Sequence, residues 1–293
     1  MTNPTRFVLA LIVSALFLLC ISCDATGVSS VAGTDGSCDE ATSLLDVSAG
    51  PGAGMGYAAP SLAGGCTDDT FVVESNSMPH FTFVSMTPNA LEESDNVWEI
   101  PLHPAEAAAT SDIPLLGQVA FTVTGLPIFG PNEAEFPDPY GDPVYNGITD
   151  GCFGHTAFEY HAHALEERCL TDDGLVSEPW TVAEPSAAEP SPIIAWALDG
   201  FPIYGPRGCL DDDCSDVVTF TSGYVQTGDP STYAWDNHRY EASADPTVLD
   251  ACNGRVGPDG TYRYHATDTF PYVLGCYRGT PVDAGLPAGG PGA

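Results

Sequence analysis

The chain contains no lysine, and its seven basic residues, all arginine, face 40 aspartates and glutamates. The resulting net charge of −33 repels phosphate backbones and anionic membrane surfaces, which argues against nucleic acid as a partner. Most of these carboxylates read as a solvated face that keeps the protein soluble, and the balance suits saline water. Long helical periodicity is missing too; only PAEAAAT at 104–110 hints at it. There is no Gly-x-Ser-x-Gly elbow, no P-loop and no dinucleotide fingerprint, so no hydrolase, nucleotide or hydride-transfer reading follows and no reaction is assigned. Histidine is scarce, with seven in 293 residues.

What is present begins with an export segment. Arg6 supplies a positive start, and FVLALIVSALFLLCI is an apolar run of signal-peptide length. A membrane span needs roughly 20 apolar residues, more than this run offers. The segment ends in CISC at Cys23 before the polar Asp24, which resembles the lipobox of bacterial lipoproteins, with Cys20 where Leu usually stands. Residues 1–23 are therefore expected to be a lipoprotein-like signal peptide with Cys23 as the lipidated residue; cleavage without lipidation is the alternative. The expected location is periplasm or cell surface, with membrane contact only through the N-terminal lipid. Residues 24–37, DATGVSSVAGTDGS, read as a flexible tether. Residues 282–293 read as a disordered tail.

Export decides how the cysteines are read. Of ten, setting aside Cys20 and Cys23 leaves Cys38, Cys66, Cys152, Cys169, Cys209, Cys214, Cys252 and Cys276. An even number in an oxidising compartment points to disulfides over thiolate metal ligands. Eight cysteines allow 105 pairings; sequential neighbours are the expectation adopted, 38–66, 152–169, 209–214 and 252–276.

Between the termini, short apolar runs separated by Gly and Pro predict a mainly β fold with short helices at most. FTFVSM (81–86), GQVAFTVTG (117–125), IIAWAL (193–198) and DVVTFT (216–221) read as strands. An internal repeat organises them. GLPIFGP (125–131) matches DGFPIYGP (199–206), and DGCFGHTAFEYHAH (150–163) matches LDACNGRVGPDGTYRYHA (249–266). The expected domain spans 38–281, with disulfide-stapled modules at about 117–170 and 193–281 packed as one unit. An acidic, Pro-rich linker, DDGLVSEPWTVAEPSAAEPSP, separates them.

The chemistry concentrates in FEYHAH. On a strand, side chains alternate faces, so Phe158, Tyr160 and Ala162 point one way while Glu159, His161 and His163 point the other. The tyrosine face is the expected core, and the histidine face is expected to meet a cleft, the other module or solvent. Imidazoles at i and i+2 can reach one ion, copper or zinc by their chemistry. His155 in the preceding turn and His265 from the second copy are the further candidate ligands, with Glu159 as a ligand or supporting partner. In the second copy Arg255 and Arg263 replace His155 and His161, and guanidinium ligates no metal. Those arginines point instead to carboxylates or an anionic ligand. The Asp-rich LDDDCSD (210–216) is a weaker calcium candidate that lacks EF-hand spacing.

EYHAH and TYRYH, each following a Cys-x-Gly turn, together with ALDGFPIYGP and FPYVLGCYRGTPV, resemble the YHYH-domain family of bacterial exported proteins over roughly residues 78–281. The chain departs from the family name at Ala162, in place of a Tyr, and at Arg263, in place of a His. The resemblance implies a fold neighbourhood and no reaction. Two functions stay open on the sequence: an exported protein that binds a transition metal through strand-borne histidines, and a metal-free module that presents its aromatic repeats to a ligand, polymer or partner protein.

Overall fold

The two apolar runs GQVAFTVTG and IIAWAL are too continuous for strands with one wet face, and each becomes a strand buried on both sides. In the computed structural model, which describes residues 38–48, 50–134, 140–157, 159–166, 169 and 189–283, these are β4 (Gln118–Thr122) and β8 (Ile193–Ala197). The expected signal segment, Cys23, the tether, most of the acidic linker and the end of the tail lie outside the described residues. Among the described residues no helix is long and apolar enough to cross a membrane.

β4 and β8 pair antiparallel, with Ala120 opposite Ala197, Phe121 opposite Trp196 and Thr122 opposite Ala195. Each module then repeats one topology outward from this seam. In the first, β4 pairs antiparallel with β5 (Pro127–Phe129), which runs parallel to β7 (Tyr160–Ala162), which pairs antiparallel with β6 (Gly154–Thr156). In the second, β8 pairs in the same ways with β9 (Pro202–Tyr204), β15 (Tyr262–His265) and β14 (Gly254–Val256). The result is one eight-stranded sheet, β14-β15-β9-β8-β4-β5-β7-β6, whose halves are related by a pseudo-twofold axis between β4 and β8. Even the register shifts recur, between Gln118 and Ala120 and between Ile193 and Ala195.

A three-stranded antiparallel sheet packs against the seam: β1 (Leu62–Cys66), β2 (Thr70–Ser75) and β3 (Asn96–Pro101). Trp98 of β3 stacks on Phe121 with centroids 4.6 Å apart, and Phe71 of β2 meets Trp196 edge-on at 5.1 Å. Outlying hairpins pair β10 (Arg207–Cys209) with β11 (Val217–Thr219), and β12 (Tyr224–Gln226) with β13 (His238–Tyr240). Among the described residues helix comprises α1 (Cys38–Ser43), a 3₁₀ turn at Trp235–Asn237 and 3₁₀ conformation at Cys169. The fold is mainly β, as expected. Four disulfides join Cys38 to Cys66, Cys152 to Cys169, Cys209 to Cys214 and Cys252 to Cys276, the sequential pairing.

Two local expectations fail. FTFVSM forms no strand, because its order comes from side chains: Phe81 packs edge-on against Tyr160 at 5.5 Å while Val84 and Met86 stay exposed. PAEAAAT forms no helix, because the Ala107 N–H donates to the Arg278 carbonyl across the fold (2.9 Å). At the boundary of the expected tail, the Val282 N–H still donates to Leu198 O at 3.0 Å.

The Cys-x-Gly turns explain how the outer hairpin of each module begins. Asp150 accepts hydrogen bonds from the Cys152 and Gly154 N–H groups and from the Tyr160 hydroxyl; Asp250 does the same with Cys252, Gly254 and Tyr262. Burial raises both carboxyls above their ordinary range, and these donors work against it. The tyrosine ring lies directly over the glycine. A Cβ at Gly154 would sit 2.3 Å from Tyr160 Cζ, and one at Gly254 would sit 2.2 Å from Tyr262 Oη. Gly154→Ala and Gly254→Ala are each expected to cost about 3 kcal/mol through overpacking. Equilibrium denaturation should show similar losses for both, since the contact is duplicated.

Candidate metal centre

The β6–β7 hairpin sets His155 directly opposite His161. His163 lies one residue beyond β7, tied by its N–H to the Phe153 carbonyl at 2.9 Å. Strand alternation keeps His161 and His163 on one face and Tyr160 and Ala162 on the other. The fourth member comes from the turn after β5, where GPNE follows the repeated PIF core and directs Glu133 at the three imidazoles.

Glu133 Oε2 lies 2.7 Å from His155 Nε2, 3.3 Å from His163 Nε2 and 4.0 Å from His161 Nε2. His155 Nε2 and His163 Nε2 are 2.9 Å apart. One donor atom from each of these four residues falls within 4.8 Å of the others. The outward nitrogens of two rings are occupied, His163 Nδ1–H donating to Gly130 O at 2.7 Å and His161 Nδ1–H to Glu159 O at 3.3 Å, while His155 Nδ1 is buried without a hydrogen-bond partner. Those bonds set the tautomer, so Nε2 of both rings carries the lone pair that faces the cluster. Phe129 stacks on His161 at 4.0 Å and meets His163 edge-on at 6.2 Å, which holds the rings in place.

The histidine face, expected to meet a cleft, the other module or solvent, is buried instead, with His155, His161 and His163 only 1–2% exposed. Glu133 is the most exposed of the four, its side chain 19% exposed, while the Oε2 that faces the imidazoles is buried. Burial, reinforced by the neighbouring histidines against the pull of Glu133, pushes His161 down to about 4, so it is a neutral imidazole at pH 7. Burial alone would raise the Glu133 carboxyl, but the imidazoles of His155, His161 and His163 packed around it outweigh that and hold the group far below the ordinary carboxylate range. Neutral imidazole and ionised carboxylate are the forms that bind metal.

Two candidate residues play other parts. His265 is not a shared ligand: five inter-strand steps separate β15 from β7, roughly 24 Å at the usual spacing. It occupies the position in the second module that His163 holds in the first, with Nδ1 on Gly205 O at 2.8 Å as His163 has Gly130. The Glu159 carboxylate turns away from the imidazoles to Ser94 Oγ, Asn96 Nδ2 (2.6 Å) and Gln118 Nε2 (3.0 Å). Only its backbone carbonyl supports His161, because Glu159 precedes β7 and escapes strand alternation. In LDDDCSD the Asp211 carboxylate is taken by Ser215, and among the described residues no metal-ligating group forms there.

Glu133 is invisible in the sequence because one carboxylate among 40 acidic residues carries no signal. The repeat holds a clue. Counting from the shared Gly-Pro, Glu133 falls where the second copy has Gly208, so that copy lacks the carboxylate together with two of the histidines.

The duplicated sheet and its buried cluster define a mainly β, disulfide-stapled domain built from two copies of one module, with a candidate ligand set in one copy. Residues 97–279 match the family described as YHYH protein, and the chain belongs to that family. No curated protein and no solved structure matches the chain.

His265 makes the pH dependence testable away from the cluster. Burial, with Arg255 and Arg263 nearby and only the Gly205 bond opposing, pushes it down from 6.5 to about 3. Between those values the unfolded chain binds a proton that the folded chain does not, so this contribution to stability is lost as pH falls through the window. The stability of His265→Gln should therefore depend less on pH between 7 and 4, by up to about 1.4 kcal/mol per pH unit. Urea denaturation of both proteins checks it; the buried aspartates, raised by burial and opposite in sign, are common to both and cancel.

Proposed function

We propose that the protein is an exported, lipid-anchored YHYH-domain protein that binds one transition-metal ion through Glu133, His155, His161 and His163. The observation that carries this reading is the convergence of three Nε2 atoms and one carboxylate oxygen while the Nδ1 atoms of His161 and His163 are bound to backbone carbonyls. Without a cation, lone pairs of buried rings face one another, and His161 Nε2 has no hydrogen-bond partner. A single proton shared between His155 and His163 leaves that lone pair unsatisfied. One divalent ion satisfies all four donors.

Three imidazoles and a carboxylate, with no thiolate or thioether, suit Zn²⁺ or Cu²⁺ and disfavour Cu⁺. Four protein donors complete a tetrahedral shell, which supports holding or delivering the ion; an open position would require Glu133, the most exposed of the four, to move aside. Export and lipidation rest on the N-terminal sequence: the apolar run, Cys23 and the polar tether.

Elemental mass spectrometry tests the reading on mature protein, residues 24–293, purified from periplasm without chelator or a His tag. Near one equivalent of zinc or copper is expected, lost in His155→Ala, His161→Ala and His163→Ala and weakened at least tenfold in Glu133→Gln. His265→Ala should retain the full equivalent. Absence of metal after reconstitution, with folded variants, would overturn the metal site and leave a metal-free binding module.

A further inference from the structure

We infer that the second module carries an anion site where the first carries its ligand cluster, with Arg255 and Arg263 together receiving the carboxylate of a ligand. The inference does not depend on the metal reading. It starts from register: Arg255 stands directly opposite Arg263 on the β14–β15 hairpin, as His155 stands opposite His161 on β6–β7. Like charges directly opposite on paired strands destabilise the pair, and guanidinium cannot shed its proton to relieve them.

In a chain with 40 acidic residues, an arginine pair is expected to be neutralised from within. Arg239 and Arg278 follow that rule, each bonded to a glutamate, Glu241 and Glu106. The hairpin pair follows it only by half. Arg255 donates to the Cys209 carbonyl at 3.0 Å and lies 4.6 Å over the Phe220 ring, with no carboxylate in ion-pair range among the described residues. Arg263 has one carboxylate, Asp259, which is 39% exposed. Its Nε–H is buried and has no hydrogen-bond partner. Two fixed cations thus share one solvent-facing anion, and one more negative charge completes the group. Position 208, the counterpart of Glu133, is a glycine. The module that lacks its own carboxylate is the one that holds the cations.

The ligand class follows from the donors and the field. Planar guanidinium forks match the two oxygens of a carboxylate or the face of a phosphate. A net charge of −33 opposes a dianion twice as strongly as a monoanion, which favours the carboxylate. That carboxylate belongs to a free organic acid or to an acidic side chain of a peptide, and the recognition chemistry is the same.

Nitrogen-15 spectra of the arginine Nε–H groups test this directly, since the chain has only seven arginines. Arg255→Lys and Arg263→Lys assign the two resonances by their loss. Acetate, an aspartate tetrapeptide and phosphate are titrated into the mature protein, with sodium chloride at equal ionic strength as the control. The expected result is a saturable shift of both resonances with acetate, the peptide, or both, at least tenfold weaker in Arg255→Lys, which keeps the charge and loses the fork. Binding of acetate identifies a free acid as sufficient; binding of the peptide alone assigns the site to acidic peptide segments. His161→Ala should leave the shifts unchanged. No shift beyond the chloride control, shifts undiminished in Arg255→Lys, or a preference for phosphate over acetate would overturn the proposal.

Discussion

The antiparallel seam between Gln118–Thr122 and Ile193–Ala197 is the contact from which the rest of the domain is arranged. All residues of both strands are buried, and Phe121 and Trp196 cross it to receive Trp98 and Phe71 from the three-stranded sheet. Because the seam joins equivalent strands, each module grows outward in the same order. Each functional hairpin therefore ends at an edge of the sheet. That placement separates the two hairpins by the width of the sheet and forbids a site shared between the copies.

Duplication preserves scaffold and lets chemistry diverge. The Asp150 and Asp250 turns make the same hydrogen bonds, and His163 and His265 both donate Nδ1–H to the carbonyl of the repeated Gly-Pro. These hydrogen bonds are made within the module, so their geometry survives whatever occupies the hairpin faces. The faces differ: one presents electron-pair donors from His155 and His161, the other the fixed cations Arg255 and Arg263. One repeated topology thus presents faces of opposite electrostatic character.

The three-stranded sheet does more than cover the core. Trp98 Nε1 donates to Gln118 Oε1 at 2.8 Å, and Gln118 and Asn96 then donate to the Glu159 carboxylate. Glu159 is thereby fixed, and its carbonyl orients His161. The apolar contact that joins the sheets and the polar chain that aligns one imidazole run through the same strand.

Much of this architecture is legible in the amino-acid sequence. Strand character follows from the apolar runs, the modules from the repeated Gly-Pro and Cys-x-Gly turns, and the sharing of one face by His161 and His163 from the two-residue period of a strand. Such features are local and periodic, and they survive translation into one dimension. The irregular course of FTFVSM and the loss of helix at PAEAAAT are not legible, because long-range packing and a bond from Ala107 to Arg278 decide them. Nor is the choice of ligands. By itself the sequence determined the mainly β class, the duplication and the pair of strand-borne histidines. Only the tertiary structure decided that Glu133 completes the cluster, that Glu159 serves through its carbonyl and that His265 stands apart. The physical reason is that a ligand set is a matter of distance in space, and parallel pairing across β5 brings together segments whose separation along the chain says nothing of it.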